Sequence, residues 1–496
     1  MVPKVNAPDF PQDLDWFNTT ESLTLEKLRG KIVLLDFWTY CCINCIHVLP
    51  DLKKLEQKYR DELVVVGVHC AKFPNERNAK NIREAISRYE IEHPVVNDHT
   101  FTVWKSYNVR AWPTFVLIDP EGKMVGAVSG EGNWDFLNEA IGALAKECKA
   151  KGTLKTGILP QLKPETSVEK NILSYPGKII VDASGQKLFI SDSNHNRILL
   201  ADSNGHVMET IGSGHIGVND GKFSEATFNH PQGMCLVDEN LFVADTENHA
   251  IRKIDLKNKT VTTVAGTGKQ AAPFATPGDP MTTHLNSPWD LAAFENKIFI
   301  AMAGSHQIWM YDLDENQIGP FAGTGQESRV DGPLASSCFA QPSGLAIDGH
   351  KLYVADSETS AIRKIDLGTG EVTTLVGIAL FDFGDEDGSG DQVRLQHPIG
   401  VHAYGGKLFI ADTYNHKIKF LDPSTRTCMT VLGTGKPGRS TGNDPAFYEP
   451  CGLCVAQPYL YIADTNNHRI LKMFLEDRVV SEVKVQLKSA QEISHS

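Results

Sequence analysis

The sequence predicts an α/β domain followed by an all-β six-bladed β-propeller. The chain has 496 residues, which is too long for one ordinary domain. Its first part alternates buried-strand and helical patterns, and its second part repeats a strand-rich segment six times. We divide the chain into an α/β domain at 1–148, a linker at 149–172, the propeller at 173–487 and a C-terminal tail at 488–496.

Alternating apolar patterns define the α/β domain. Two apolar runs, "KIVLLDF" at 31–37 and "LVVVGVH" at 63–69, predict buried strands, and helical spacing of the apolar residues between them predicts a helix. The other predicted elements are a helix at 78–91, a hairpin at 113–130 and a closing helix at 134–150. This order of elements is typical of an α/β domain.

The composition changes after the closing helix. The stretch "KAKGTLKTGILPQLKPETSVEKNILSYP" at 149–176 is rich in Lys, Pro, Gly and Thr. Such a composition indicates a linker between the two domains.

Beyond the linker, one segment recurs six times at a nearly constant spacing. Each copy holds four short alternating strands, which the second copy shows as "GMCLVD", "NLFVAD", "AIRKIDL" and "TVTTVAG". One such sheet cannot bury its face alone, but six sheets arranged radially bury their faces between neighbours. The third copy has Met302 where the other five carry a marker aspartate: Asp192, Asp245, Asp356, Asp412 and Asp464.

Composition and charge disfavour several classes of function. The net charge is −13, and an acidic surface repels the phosphate backbone of nucleic acids. No apolar run approaches the roughly 18 residues of a membrane-spanning helix, and the N-terminus lacks the pattern of a secretory signal. The ten cysteines are mostly isolated, which suits a reducing compartment. We therefore expect a cytoplasmic protein that binds neither nucleic acid nor membrane.

The stretch "DFWTYCCINCIHVLP" at 36–50 carries the most specific chemistry of the chain. Cys42 falls where a strand ends and a helix begins, and the unpaired N–H groups there favour a thiolate. Cys45 lies one helical turn further on, where it can attack a mixed disulfide on Cys42. Downstream, Trp112 and Pro113 precede a predicted strand, as expected of a tight turn with a cis peptide bond.

These motifs together resemble the thioredoxin fold: "VLLDFW" before the cysteines, Pro50 after them and "WPTFVLIDPEGK" downstream. The resemblance implies that Cys42 is the nucleophile, Cys45 the resolving thiol and Asp36 a buried carboxylate that assists proton transfer from that thiol. It also implies that the backbone before a cis Pro113, at Trp112, pairs with substrate.

Two positions depart from the thioredoxin pattern. Cys41 stands where that family usually has Trp, and Ile43-Asn44 replaces Gly-Pro between the two cysteines. Both changes bear on the redox potential, and Cys41 is a possible auxiliary thiol that offers alternative disulfides.

The whole chain resembles a more specific family, the thioredoxin-domain NHL-repeat proteins. The likeness rests on "TYCCINC", then "AKFPNE", then repeats such as "VADTENHAIRKIDL" and "IADTNNH". It implies a thioredoxin-like domain followed by an NHL-type β-propeller, and it supplies no substrate.

Two other hypotheses compete for the cysteine motif. A zinc site would need four ligands, and Cys41 and His47 lie too close in sequence to complete a tetrahedron with Cys42 and Cys45. A peroxidase would place a proline four residues before Thr39, where this chain has Leu35. We therefore favour a redox dithiol without metal or other cofactor.

The propeller holds three further patterns that invite a functional interpretation. Cys451 and Cys454 lie in one strand, where side chains three residues apart point to opposite faces, which favours a structural role. The recurring Asp-x-x-Asn-His is typical of a turn cap, because Asp and Asn hydrogen-bond turn backbones. The acidic loop "DFGDEDGSGD" at 382–391 resembles a calcium loop only loosely, and we favour a solvated loop.

We expect a thiol-disulfide oxidoreductase whose propeller binds or orients a protein partner. The partner would lie on the loop-rich face, which carries the Asp-x-x-Asn-His turns and the long segments between blades. The acidic loops of that face favour a basic or neutral protein. The alternative is a non-catalytic interaction scaffold with a redox-idle thioredoxin fold.

Overall fold

The computed structural model describes residues 5–163, 171–272 and 276–487. The chain divides into two compact units, Met1–Glu169 and Lys170–Ser496, and each is described by itself. Within the described ranges, no helix has both the length and the hydropathy that crossing a bilayer requires.

The N-terminal unit is a mixed sheet with helices on its faces, in the strand order β1-β4-β3-β2-β5-β6. Strand β2 pairs in parallel with β3 and antiparallel with β5, which places it in the middle of the sheet. The elements are β1 (Trp16–Phe17), β2 (Ile32–Trp38), α1 (Ile43–Lys58), β3 (Leu63–His69), α2 (Ala79–Arg88), β4 (Val95–Asn97), α3 (Thr102–Ser106), β5 (Thr114–Ile118), β6 (Met124–Ser129) and α4 (Trp134–Lys151).

Both faces of β2 are buried, so its side chains alternate between two apolar cores. Val33, Leu35 and Phe37 pack in one core. Ile32 and Leu34 pack in the other, together with apolar residues of α1 and α4. Asp36 lies two positions after Leu34 and therefore points toward the α1 side of the sheet.

The predicted helices and strands of this domain are all present, and three short elements were not predicted: β1, β4 and α3. They are two to five residues long, too short to show a period in the sequence.

The predicted linker at 149–172 needs correction. Helix α4 continues to Lys151, and the chain after it stays on the N-terminal unit, where the N–H of Lys155 donates to the carbonyl of Gly30 at 2.7 Å. The buried ammonium of Lys31 donates to the backbone carbonyls of Asp61 at 2.6 Å, Lys155 at 2.9 Å and Gly157, and these three carbonyls stabilise a charge that is largely removed from water. Part of the predicted linker, at 164–170, and the predicted tail at 488–496 lie outside the described residues.

In its described residues, the C-terminal unit forms six blades of four antiparallel strands each, as predicted. The strands of the first three blades, from the inner strand outward, are Pro176–Val181, Lys187–Asp192, Arg197–Asp202 and Val207–Ile211; Pro231–Val237, Asn240–Asp245, Ala250–Asp255 and Thr260–Ala265; Pro288–Phe294, Lys297–Met302, Gln307–Asp312 and Gln317–Ala322. Those of the last three are Pro342–Asp348, Lys351–Asp356, Ala361–Asp366 and Glu371–Val376; Gly400–Tyr404, Lys407–Asp412, Lys417–Asp422 and Thr427–Leu432; Pro450–Ala456, Tyr459–Asp464, Arg469–Phe474 and Val480–Val483. Blades 2, 4 and 5 add a two-residue edge strand from the preceding connection: Gly221–Lys222, Gly332–Pro333 and Gly388–Ser389.

The blades form a closed ring. An apolar cluster lies between each blade and the next, including one that joins blade 6 to blade 1. Residues after blade 6 complete the closure, since the N–H of Val207 in blade 1 donates to the carbonyl of Gln486 at 2.9 Å. The radial burial of sheet faces that the repeats predicted is therefore present.

The Asp-x-x-Asn-His segments are turn caps that also tie neighbouring blades together. Asp245 is fully buried and accepts a hydrogen bond from the N–H of Asn229 and from the guanidinium of Arg252. His249 ends the turn in the left-handed conformation, and its Nδ1 accepts the N–H of Ser287 at the start of the next blade, at 3.0 Å. The same histidine contact recurs around the ring at His306, His416 and His468.

Candidate functional site

Cys42 lies at the N-terminal end of α1, as predicted. It is the N-cap residue, with extended backbone angles, and its carbonyl accepts the N–H groups of Cys45 and Ile46 at 3.0 and 3.1 Å. The first N–H groups of a helix have no partner within the helix and favour negative charge nearby. The local backbone therefore suits a thiolate at Cys42.

Cys45 lies one turn into α1, within hydrogen-bonding reach of the Cys42 thiol, and is fully buried. Burial raises the pKa of the Cys45 thiol well above its usual value, and the hydrogen bond and nearby charge of Cys42 raise it further. Cys45 therefore keeps its proton at neutral pH, as expected of a thiol that acts second.

Asp36 lies on the same side of the sheet as Cys45. It is fully buried, and neither carboxyl oxygen has a hydrogen-bond partner among the described residues. Burial raises the pKa of Asp36 to about 7, and the charge of His93 works in the opposite direction. A carboxyl with a pKa near neutrality can accept a proton and return it, which is the role expected of Asp36.

Glu76 is a site residue that the sequence did not identify. Its buried carboxylate accepts the Thr39 hydroxyl at 2.7 Å and the N–H of Cys41 at 3.0 Å through one oxygen, and the N–H of Phe73 at 2.9 Å through the other. It belongs to a 3₁₀ turn at Pro74–Arg77 within the "AKFPNE" segment. Glu76 thus fixes the backbone directly before Cys42. The sequence carried only half of the usual signal, because Glu three residues after the N-cap is the second member of a capping box, but Phe73 stands where Ser or Thr would be expected.

The position of Thr39 bears on the peroxidase hypothesis. Its hydroxyl proton is donated to Glu76, and its oxygen lies 3.9 Å from the sulfur of Cys41. That proton is therefore not offered to Cys42, and the threonine gives the peroxidase hypothesis no support.

The peptide bond between Trp112 and Pro113 is cis, as predicted. Pro113 directly precedes β5, whose first residue Thr114 pairs with Phe37 near the end of β2. The chain at Pro113 therefore reaches the same edge of the sheet as the segment that leads to Cys42.

The ring of Trp112 packs against Trp104, with centroids 4.5 Å apart, and the ammonium of Lys72 lies 5.4 Å from the Trp112 ring centroid. These contacts fix the indole next to the predicted docking position. The roles of Trp112 and Pro113 in binding substrate stay predictions.

The hypotheses of metal binding find no support in the described ranges, where no three His, Cys, Asp or Glu side chains are arranged to hold an ion. Cys451 and Cys454 are both buried in the inner strand of blade 6, with Cys454 in the cluster between blades 6 and 1.

In the acidic loop at 382–391, the carboxylates pair with bases rather than converging on one point. Asp385 contacts Lys417 and Lys419, and Asp391 contacts Arg426 at 2.6 Å. This loop is therefore neither a calcium loop nor an uncompensated acidic patch.

Comparison with known proteins agrees with this architecture. A thioredoxin-like family model matches residues 30–124, and the NHL repeat model matches residues 228–254. The chain is 43% identical over 514 residues to NHL repeat-containing protein 2 of Bos taurus, covering 96% of this chain and 71% of that protein.

Two other relatives differ in how much of them the chain covers. Protein SUPPRESSOR OF QUENCHING 1, chloroplastic, of Arabidopsis thaliana is 43% identical over 509 residues, which is 98% of this chain and 48% of that protein. The thiol-disulfide oxidoreductase ResA of Halalkalibacterium halodurans is 31% identical over 110 residues, which is 22% of this chain and 60% of that protein. The match to the Bos taurus protein covers most of both chains at 43% identity. The chain therefore belongs to the family of NHL repeat-containing protein 2.

Proposed function

We propose that the chain is a thiol-disulfide oxidoreductase whose propeller binds or orients a protein partner. The observation that carries the proposal is the contact between Cys42 and Cys45 at the start of α1, on the side of the sheet that also holds the buried Asp36. A nucleophile, a resolving thiol and a proton acceptor are the groups that thiol-disulfide exchange needs.

The proposed reaction proceeds in two steps. The Cys42 thiolate attacks one sulfur of a substrate disulfide, forms a mixed disulfide and releases the other sulfur as a thiolate, which takes a proton from solvent. Cys45 then gives its proton to Asp36 and attacks the Cys42 sulfur. The electron pair of the broken bond leaves on the second substrate sulfur. The substrate disulfide is reduced to two thiols, and Cys42 and Cys45 are oxidised to a disulfide.

One relative supports the type of reaction, and the cysteines support the compartment. The match to a protein named thiol-disulfide oxidoreductase ResA supports the type of reaction. All ten cysteines are buried, and most are isolated in the sequence, which supports a reducing compartment, and we keep the cytoplasm as our proposal.

We place the protein partner on the loop-rich face of the propeller. That face bears the long connections between blades, where binding residues are commonly found. Because the carboxylates at 382–391 are paired with bases, the preference for a basic or neutral partner rests on the net charge of −13 and not on this loop.

A non-catalytic scaffold is the second candidate, and burial of the thiols favours it. Cys41, Cys42 and Cys45 are exposed by 3%, 4% and 0%. A substrate disulfide must reach one of these sulfur atoms before any exchange can occur.

Insulin reduction by dithiothreitol separates the two candidates. We expect the full chain to accelerate insulin precipitation, and we expect Cys42→Ser and Cys45→Ser each to abolish the acceleration. The matched control is Cys428→Ser, since that cysteine is buried in the propeller. Equal rates with and without the parent protein would favour the scaffold.

A further inference from the structure

A group of buried polar atoms lies on the α1 side of the sheet, close to the two cysteines. Both carboxyl oxygens of Asp36 and the Nε2 atom of His93 lack hydrogen-bond partners among the described residues. Asp36 is 0% exposed and His93 is 5% exposed. Leaving buried polar atoms unpaired costs stability, so such groups are often retained for a chemical role.

The structure places the His93 ring next to Asp36. Asp36 of β2 is paired with Gly67 of β3, and side chains of paired residues project from the same face of a sheet. A Cβ atom added to Gly67 would lie 3.3 Å from Nε2 of His93. The imidazole therefore shares the space over Gly67 with the side chains of Trp38 and Val95, where another residue at position 67 would place a side chain beside Asp36.

The other side of the His93 ring leads to solvent. Its Nδ1 hydrogen-bonds with the carboxylate of Glu56 on α1 at 3.3 Å. The side chain of His93 is 4% exposed, whereas that of Glu56 is 28% exposed. Asp36, His93 and Glu56 thus form a series that runs from the buried carboxyl to the surface.

The other ionisable groups near this series are few. Glu92, beside His93 in sequence, adds negative charge that favours the imidazolium, as do Glu56 and Asp36. Cys45 faces Asp36 from α1, and Cys70 lies within reach of its charge. His69 stays neutral, because burial lowers the pKa of its ring to about 3.

We propose that His93, held by Glu56, is a positioning residue that balances the charge of Asp36 as an imidazolium and releases a proton to solvent when Asp36 takes the proton of Cys45 in the resolving step. This inference rests on the proposed function, since it accounts for the release to solvent of one proton for each proton that Cys45 loses. It extends the site by two residues that lie outside the cysteine motif.

The buried group takes up one proton and releases one during the resolving step. Cys45 loses a proton to Asp36 and its sulfur bonds to the Cys42 sulfur, while the bond between Cys42 and the substrate sulfur breaks and that sulfur leaves with the electron pair. Asp36, now neutral, no longer stabilises the imidazolium of His93. His93 therefore releases its Nδ1 proton to Glu56, which exchanges it with water, so one proton enters the buried group from Cys45 and one leaves it.

The test uses 5,5′-dithiobis(2-nitrobenzoate) as the disulfide and follows thionitrobenzoate release from the full chain in a Cys41→Ser background. The first release reports attack by Cys42, and the second reports resolution by Cys45. The variants are His93→Asn and Glu56→Gln. The matched control is Asp51→Asn, a carboxylate on the same helix that pairs with Lys54.

The expected effect is a shift in the pH profile of the second release alone. A neutral residue at position 93 stabilises the Asp36 carboxylate less, so the rising limb should move to higher pH by about one unit. That shift corresponds to roughly tenfold slower resolution at a pH below the limb. Glu56→Gln should shift the limb in the same direction by less. Asp51→Asn should not shift it, and the first release should be unchanged in every variant.

Each outcome decides between the two proposals. The role proposed for His93 would be wrong if the parent protein released thionitrobenzoate in two phases and neither variant shifted the pH profile of the second phase. The proposed function would then stand. If His93→Asn does not fold, Glu56→Gln decides, because its side chain reaches solvent. If the parent protein showed no second release of thionitrobenzoate, the proposed function would be wrong, and the role of His93 that rests on it would be wrong as well.

Discussion

The carboxylate of Glu76 accepts the backbone N–H of Cys41 at 3.0 Å, although the two residues lie 35 positions apart in sequence. The same carboxylate oxygen also accepts the hydroxyl of Thr39. One buried side chain therefore holds the segment that positions Cys42, and its removal should loosen that segment first.

We predict that Glu76→Gln exposes the backbone around the dithiol. A glutamine offers one acceptor oxygen in place of two, so at least one buried donor loses its partner, at a cost of about 1–3 kcal/mol. Amide hydrogen exchange at Cys41 and Phe73 should become roughly 5- to 150-fold faster. Glu90→Gln, an exposed carboxylate of the same domain, is the control. Unchanged protection at both amides would contradict the role assigned to Glu76.

We predict that Cys42 is alkylated faster than Cys45 and Cys41 at neutral pH. Cys42 begins a helix, whereas burial and the contact with Cys42 raise the pKa of Cys45. Iodoacetamide labelling of the native protein, followed by peptide mass spectrometry between pH 6 and 9, measures the three rates. Faster labelling of Cys45 or Cys41 would reverse the roles of the thiols.

We predict that Asp36→Asn stabilises the protein above neutral pH. The pKa of Asp36 is about 7 in the folded protein and near 3.8 when unfolded, so the folded state binds more protons between these values. Stability is therefore lost as the pH rises from about 4 to 7, by about 1.4 kcal/mol per unit of pKa difference.

The asparagine variant lacks this loss. Its Tm should exceed that of the parent at pH 8, and the difference should shrink toward pH 4. Calorimetry of the full chain, with Asp51→Asn as the control, measures the effect. A constant difference across this range would show that Asp36 does not titrate as described.

We predict that ring closure is the most sensitive point of the propeller. The hydroxyl of Thr465 in blade 6 donates to the carbonyl of Pro176 in blade 1 at 2.8 Å, where no direct chain connection joins the blades. The hydroxyl of Thr246 makes the equivalent bond to Pro288 at 2.7 Å between blades that the chain already connects.

Each Thr→Val change leaves one carbonyl unpaired, at a cost of about 1–3 kcal/mol. Thr465→Val should lower the urea midpoint of the propeller more than Thr246→Val does. Equal urea midpoints for the two variants would show that the bond at the ring closure stabilises the propeller no more than the equivalent bond between blades 2 and 3.

Local patterns were enough to predict much of the fold and part of the site. Cys42, Cys45 and Asp36 belong to one strand-to-helix unit, so their mutual positions follow from local geometry. The blades were predictable because the same pattern repeats, and each copy supports the others.

The missing site residues depend on contacts distant in sequence. Glu76 and His93 approach the dithiol only after β3 has paired with β2, and neither belongs to a periodic pattern. The aspartates that directly precede the two-residue edge strands of the propeller were missed because the connections that hold them vary in length. They nevertheless recur 43 residues before a threonine that donates to each of them: Asp220, Asp331 and Asp387.

The central claim is that Cys42 exchanges disulfides with a protein partner that the propeller helps to bind. Its most direct test is trapping with Cys45→Ser, in the full chain and in residues 1–169, followed by identification of proteins joined to Cys42. We predict mixed disulfides through Cys42 in both forms, with a higher yield and a distinct set of partners for the full chain. An absence of adducts at Cys42 in the full chain would contradict the redox claim, and identical partners at equal yield would contradict the role of the propeller.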